Sequence, residues 1–382
     1  MTPAERVLAT FKKEKLDKVA VYHSGFSSEV GSNLLGRTSF TGGGINRWRE
    51  ACALWEGPDS HAEFLERTEQ DTADLAEIAK TDMVRIAYWR LPEKPTKRID
   101  ENTFLYGDPD GEYRVFRLSP RTELYQCIDS REDHPVETVD DLERQVVAME
   151  EELSSYHPTA ADFDTQMRWH NRYGGARAIP TAGYGLAVPN QEAIWLEATI
   201  LRPDLVDRLL DVHCERSCRQ IEAQKDLPLL YHMGGGDFCG NHGPNYSPQF
   251  FHDHMLPRLK RMSATAHRYG KFGIFATDGD TWPVAEDLWG TSGTDAAHEI
   301  DRLAGMDHWK MRHRFPHLTC LGNISTITLY RGTKDDVIAE TRDNCEAALE
   351  LSGVMPGVSN QIPPGTPMEN VLAMLNTIEE YH

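Results

Sequence analysis

Strand-like and helix-like stretches alternate through most of this 382-residue chain, and that alternation restricts its fold more than any single motif does. From residue 138 onward, helical periodicity covers 139–154, 190–199, 203–224, 247–269, 307–314, 335–351 and 367–380. Short apolar runs rich in β-branched and aromatic residues separate them, at 177–181, 228–232, around Ile274-Phe275, and at 297–300, 318–321 and 353–358. Upstream, a helix over 3–15 precedes a strand at Lys18–His23, helices at 46–56 and 60–80, and a strand at Met83–Trp89. These add up to close to eight strand–helix units without an internal repeat. Such alternation implies a parallel sheet, because each crossover helix carries the chain back to the end where the previous strand began. The count favours a closed (β/α)8 TIM barrel over an open sheet. We expect this α/β fold, with an N-terminal helical extension, as a single domain over residues 1–382.

Two stretches interrupt the pattern. Ser24 to Gly44 is rich in Gly and Ser and ends in Thr41-Gly42-Gly43-Gly44. It has neither the Lys-Ser/Thr ending of a phosphate loop nor GxGxxG spacing, and it reads as a long covering loop. Residues 97–136 alternate in period two around Asp108-Pro109-Asp110-Gly111, which carries strong turn chemistry, and read as an antiparallel β-hairpin insertion.

Forty Lys and Arg against sixty Asp and Glu leave a net charge of −20. That balance speaks against nucleic acid or an anionic membrane surface as a partner, while leaving room for a local basic pocket that takes a small anion. No apolar run approaches the roughly 18 to 20 residues a bilayer span requires. The segment from Met1 to Arg6 opens an amphipathic helix instead of a signal peptide, so a cytoplasmic location is expected. Seven cysteines without a CxxC pair do not make a disulfide framework. Cys214 and Cys218, four apart on a helix, read as small buried apolar residues.

In a parallel α/β barrel, polar residues just beyond each strand face the ligand. The run Ile274-Phe275-Ala276-Thr277-Asp278-Gly279-Asp280-Thr281-Trp282 places Asp278 and Asp280 there. The run from Tyr231 to His242 adds His232, Asp237 and His242 around Gly234-Gly235-Gly236, glycines that let the backbone approach a ligand or a neighbouring strand closely. Histidine and carboxylate together do acid–base work or bind a divalent metal. Asp278, Asp280, His232 and Asp237 are therefore the candidate catalytic residues, and Asp278, Asp280 and His232 the candidate ligands of a divalent metal. Arg37 and Arg47, with Arg49 beside them, can clamp a carboxylate. Tyr88, Trp89 and Trp282 would wall a flat apolar substrate, with His242 also facing it.

Four segments then stand in a telling order: Thr2-Pro3-Ala4-Glu5-Arg6-Val7-Leu8-Ala9; Gly236-Asp237-Phe238 followed by Gly243-Pro244-Asn245-Tyr246-Ser247-Pro248-Gln249-Phe250-Phe251; Leu321-Gly322-Asn323-Ile324 with Arg331-Gly332-Thr333; and Ser359-Asn360-Gln361-Ile362-Pro363-Pro364-Gly365-Thr366-Pro367-Met368-Glu369-Asn370-Val371. Together they resemble the uroporphyrinogen decarboxylase superfamily, over most of residues 1–20 and 225–375. The resemblance implies a (β/α)8 barrel, a homodimer, and a cleft at the carboxyl ends of the strands, and it adds Asn323 and Asn360 to the substrate-facing set. The superfamily holds decarboxylases that use no cofactor and methyltransferases that exchange methyl groups with a corrinoid or a thiol. Thiol-using members carry a zinc-binding His-x-Cys after the strand matching Ile274-Phe275; this chain reads Ala276-Thr277-Asp278 and lacks that motif, leaving oxygen ligands suited to a harder metal. Decarboxylases carry an N-terminal arginine segment, an aspartate after the first barrel strand and a histidine near the C-terminal motif. Here Gly36-Arg37 stands without that segment, Tyr88-Trp89-Arg90 without the aspartate, and Asn360 where histidine is common. The expected function is a methyltransferase moving a methyl group from a small organic substrate to a corrinoid protein, with no covalently bound cofactor. The alternatives are a cofactor-independent decarboxylase of a porphyrinogen or other carboxylated substrate, and a ligand-binding barrel without catalysis.

Overall fold

The computed structural model describes residues 1–86, 90–133, 135–190 and 192–382. Its centre is a parallel ladder of six strands, in the order Val354–Met355, Thr319–Leu321, Ala296–His298, Phe272–Ala276, Tyr231–Gly235 and Thr181–Ala182. Two less regular segments close the ring. Met83 bridges Ala178 in parallel, with the Val84 amide donating to the Ala178 carbonyl at 2.9 Å. The Asp82 amide donates to the Val21 carbonyl at 2.9 Å, and the Tyr22 amide to the Pro356 carbonyl at 3.0 Å, which returns to the Val354–Met355 end. The fold is the expected (β/α)8 barrel, and among the described residues no helix is long and apolar enough to cross a membrane.

Side-chain alternation explains what fills it. Ala20, Tyr22, Met83, Ala178, Tyr231, Met233, Ile274, Ala296, Leu321 and Met355 form one buried cluster, a contribution from each segment of the wall. Their neighbours Val21, Phe275, Ala297 and Cys320 face outward into the larger core beneath the helices. The N-terminal helix α1 (Pro3–Phe11) stoppers the amino end of the barrel, since Val7 and Phe11 belong to the interior cluster and the Phe11 ring lies 4.8 Å from that of Tyr231. A Thr2–Glu5 capping box starts α1, and the helix ends at Phe11, short of the expected residue 15, because Lys13 turns into the left-handed region at φ +61°.

The Ser24–Gly44 stretch is not simply a loop. It contains helix α2 (Ser28–Leu35), with Ser27 accepting from the Val30 amide at its start and Gly36 at φ +67° at its end. These are ordinary helix start and stop signals that the glycine and serine content obscured. Helices α3 (Gly44–Glu56) and α4 (Pro58–Ile78) follow as expected, α4 starting at Pro58 in place of Ser60. The insertion is a four-stranded antiparallel sheet, Lys97–Arg98, Thr103–Gly107, Tyr113–Ser119 and Leu124–Arg131, with the Asp108–Gly111 turn closed by the Asp108 amide on the Glu112 carbonyl at 2.7 Å. Phe104, Tyr106, Leu118 and Tyr125 pack it onto Ala51 of α3. All seven cysteines are free thiols, with Cys214 and Cys218 buried.

Candidate functional site

Three strand ends converge at the carboxyl mouth of the barrel. Asp237 follows Tyr231–Gly235, Asp278 follows Phe272–Ala276, and Glu299 directly follows Ala296–His298. Their carboxylate oxygens all lie within 4.8 Å of one another, with Asp237 exposed, Asp278 half-buried and Glu299 buried. Two backbone features aim them. Gly279, at φ +83°, turns the chain where a Cβ would stand 2.7 Å from the Cys239 backbone. Glu299 itself sits at φ +65°, a conformation that costs a side-chain-bearing residue about 1–2 kcal/mol.

The charges in this cluster oppose one another. Burial, reinforced by the Asp278 and Asp237 charges, pushes the Glu299 carboxyl up to about 8, against a smaller opposing effect of Arg85. Burial, then Asp237 and Asp301, raise Asp278 to about 6, while the Asn360 side-chain amide, donating to Asp278 Oδ2 at 3.2 Å, works the other way. At neutral pH the group therefore holds a proton, chiefly on Glu299, whose titration is linked to that of Asp278. That is the arrangement of a proton donor. The same oxygens form a set suited to a hard divalent cation, whereas no thiol or imidazole belongs to it.

Asp237, Asp278 and Asn360 are thus brought together as the sequence suggested, and the other described candidates do not belong to the carboxylate cluster. His232 points out of the barrel, since Tyr231 and Met233 take the inward positions. Its Nδ1 approaches Thr181 Oγ1 at 3.2 Å, and burial pushes it down to about 4. Asp280 shapes the turn, accepting from the Trp282 amide at 2.9 Å. Of the expected metal set Asp278, Asp280 and His232, only Asp278 belongs to the carboxylate cluster, which it forms with Asp237 and Glu299. Arg37 is committed to Asp71 and Asp74, each at 2.6 Å. Arg47 lies half-buried on α3, and His242 is exposed in the turn between Cys239–Gly240 and Gly243–Pro244. Trp282 donates to the Gly305 carbonyl at 3.0 Å. Asn323 is a brace, its amide reaching the Ile300 carbonyl at 3.1 Å just beyond Glu299. Tyr88 and Trp89 lie outside the described residues. The glycine run serves close packing: a Cβ on Gly234 would lie 2.4 Å from the Tyr184 backbone, and one on Gly236 2.5 Å from the Leu186 carbonyl.

Glu299 and Arg85 are the residues the sequence reading missed. Glu299 fell inside the expected strand at 297–300, but the strand ends at His298, and only that boundary would have marked Glu299 as a mouth residue.

Residues 193–381 match the family model described as Uroporphyrinogen decarboxylase (URO-D). Among solved structures, a methyltransferase from Methanosarcina mazei superposes with a TM-score of 0.62 at 16% identity, over 100% of this chain and 99% of that one. At that identity the likeness is one of fold. No curated protein matches the sequence.

Proposed function

We propose, on the premise that over residues 193–381 this chain belongs to the uroporphyrinogen decarboxylase superfamily, that it is a methyltransferase taking a methyl group from a small organic substrate. The observation that carries this reading is the buried Glu299 carboxyl, pushed up to about 8, beside Asp278 and Asp237 at the barrel mouth. Breaking a heteroatom–methyl bond leaves the electron pair on the heteroatom, which is a poor leaving group unless it is protonated or metal-bound. Glu299 supplies that proton; its buried setting and acidic neighbours hold the proton on it at neutral pH, so that it is available to the leaving heteroatom. Asn360 fixes the orientation of Asp278, and Asn323 that of the segment after Glu299. A reduced corrinoid protein is the proposed methyl acceptor. A divalent ion would sit on Asp237, Asp278 and Glu299 in place of the shared proton and would polarise the same heteroatom. A second reading, decarboxylation with Glu299 protonating the carbanion, draws on the same acid but loses the expected Arg37 clamp.

The test is to incubate the purified protein with reduced corrinoid protein and a panel of methylated compounds while following the cobalamin spectrum. Methylation of the corrinoid is expected with at least one compound, and Glu299→Gln should slow it by about 10²–10⁴-fold. Turnover of a carboxylated porphyrinogen with no corrinoid methylation would instead establish the second reading. Unchanged turnover in folded Glu299→Gln would remove the acid from the mechanism.

A further inference from the structure

Next to the carboxylates lies a compartment of opposite character. The residues after the first barrel segment, those after the second, and one face of α4 enclose a cavity of about 80 Å³. Among the described residues lining it there is no Asp or Glu, in a chain with sixty of them, while Arg85 and Arg90 both border it. Arg90 is committed to Glu50, its Nε donating to both carboxylate oxygens at 2.9 Å. Arg85 reaches further, since its charge acts on Glu299 and His298.

Three polar side chains on the wall are buried and incompletely bonded. His23, Ser24 and Thr68 are 5%, 4% and 6% exposed, and His23 Nε2, Ser24 Oγ and Thr68 Oγ1 have no hydrogen-bond partner. The Val358 amide approaches His23 Nδ1 at 3.5 Å, which leaves the ring proton on Nε2 and makes it a donor. Burial, against a smaller effect of the Ala79 backbone, pushes this ring down to about 4, so it is neutral at pH 7. Buried polar groups are rarely left without a partner, so a wall with three of them is shaped for something that accepts hydrogen bonds. Phe26, Leu75 and Val84 give the same cavity an apolar side. Gln361 also lines it, one residue after the Asn360 that touches Asp278, so the cavity borders the strand ends that carry the acid cluster.

We propose that this cavity receives the carboxylate end of a small organic acid, whose methylated heteroatom then lies against Asp278 and Glu299. The substrate class is thus an O- or N-methylated organic acid and not a neutral ether or amine. Two hydroxyls, a neutral imidazole N–H and a guanidinium donate to the anion, and the absence of acids from the wall keeps it from repelling one. The mouth is sorted by charge, with the anion's seat on one side and the proton donor on the other.

The assignment rests on the methyltransferase reading for what happens at the far end, and binding tests it separately. Methoxyacetate, 3-methoxypropanoate and 4-methoxybutanoate are titrated calorimetrically into the full chain, alongside their amides. At least one carboxylate should bind about tenfold or more tighter than its amide. Arg85→Gln should weaken carboxylate binding by about tenfold and Thr68→Val by about threefold, each leaving the thermal midpoint near that of the parent. Asp278→Asn should retain carboxylate binding. No binding by any acid, equal binding of acid and amide, or indifference to both Arg85→Gln and Thr68→Val would overturn the assignment. Selective acid binding without any methyl transfer would leave the cavity's role standing and sink the methyltransferase reading. Methyl transfer from the amides as readily as from the acids would do the reverse.

Discussion

Glu299 combines two costs at one position, a left-handed backbone at φ +65° and a carboxyl buried beside two others. Glycine would relieve the first cost and a residue without an ionisable group the second. The pH dependence follows from the direction of the shift. The folded state holds the Glu299 proton up to about 8, well above the pKa of an unfolded glutamate. The stability this contributes is complete below the unfolded value and is lost as pH rises through the folded one. Glu299→Gln lacks that loss. In denaturant melts the variant should match the parent near pH 4.5 and be the more stable by about 1–3 kcal/mol at pH 9. Parallel curves across that range would mean that Glu299 is ionised throughout.

At the scale of elements, Glu123 shows how the insertion serves the mouth. It stands at φ +56° in the turn before Leu124–Arg131, and its carboxylate accepts from the Ser28 and Glu29 amides, both at 2.7 Å. An acid there caps the start of α2 across nearly a hundred residues of sequence, satisfying two amides that the helix cannot bond itself. Glu123→Ala is expected to cost about 1–2 kcal/mol and to speed amide exchange in Ser28–Leu35 while leaving Phe272–Ala276 protected, which exchange mass spectrometry can read. Such long-range caps are invisible to a reading by periodicity, which explains why Ser24–Gly44 looked like a loop. The barrel itself was legible because its strands are short apolar runs with punctuated ends; Asp237 and Asp278 were legible because they follow those ends, and Asn360 through the resemblance of its C-terminal motif. His232 misled for the same reason: a strand-end position gives no face until the register is known, and Tyr231 and Met233 took the inward one.

Over the whole molecule, the two ends of the barrel do different work. The amino end is closed, plugged by Val7 and Phe11 of α1 and tied by Arg6 to the buried Asp82 carboxylate at 2.6 Å. Phe11→Ala should destabilise by about 3–4 kcal/mol in equilibrium unfolding, with little effect on ligand affinity at the far end. A large change in that affinity would show that the plug and the mouth are coupled. The carboxyl end concentrates the polar groups that the interior excludes.

The ring is also fastened unevenly. One arc is a continuous ladder from Thr181–Ala182 round to Val354–Met355, and the other is joined by shorter pairings, through Val21, Tyr22, Asp82 and Met83 and by Gly25–Phe26 beside Gln361–Ile362. A closed hoop strained at its mouth parts first where it is stitched most thinly. The thin seam borders the acid-free cavity, so the barrel would breathe on the side where a small anion has to enter, with the ladder arc holding the proton donor still.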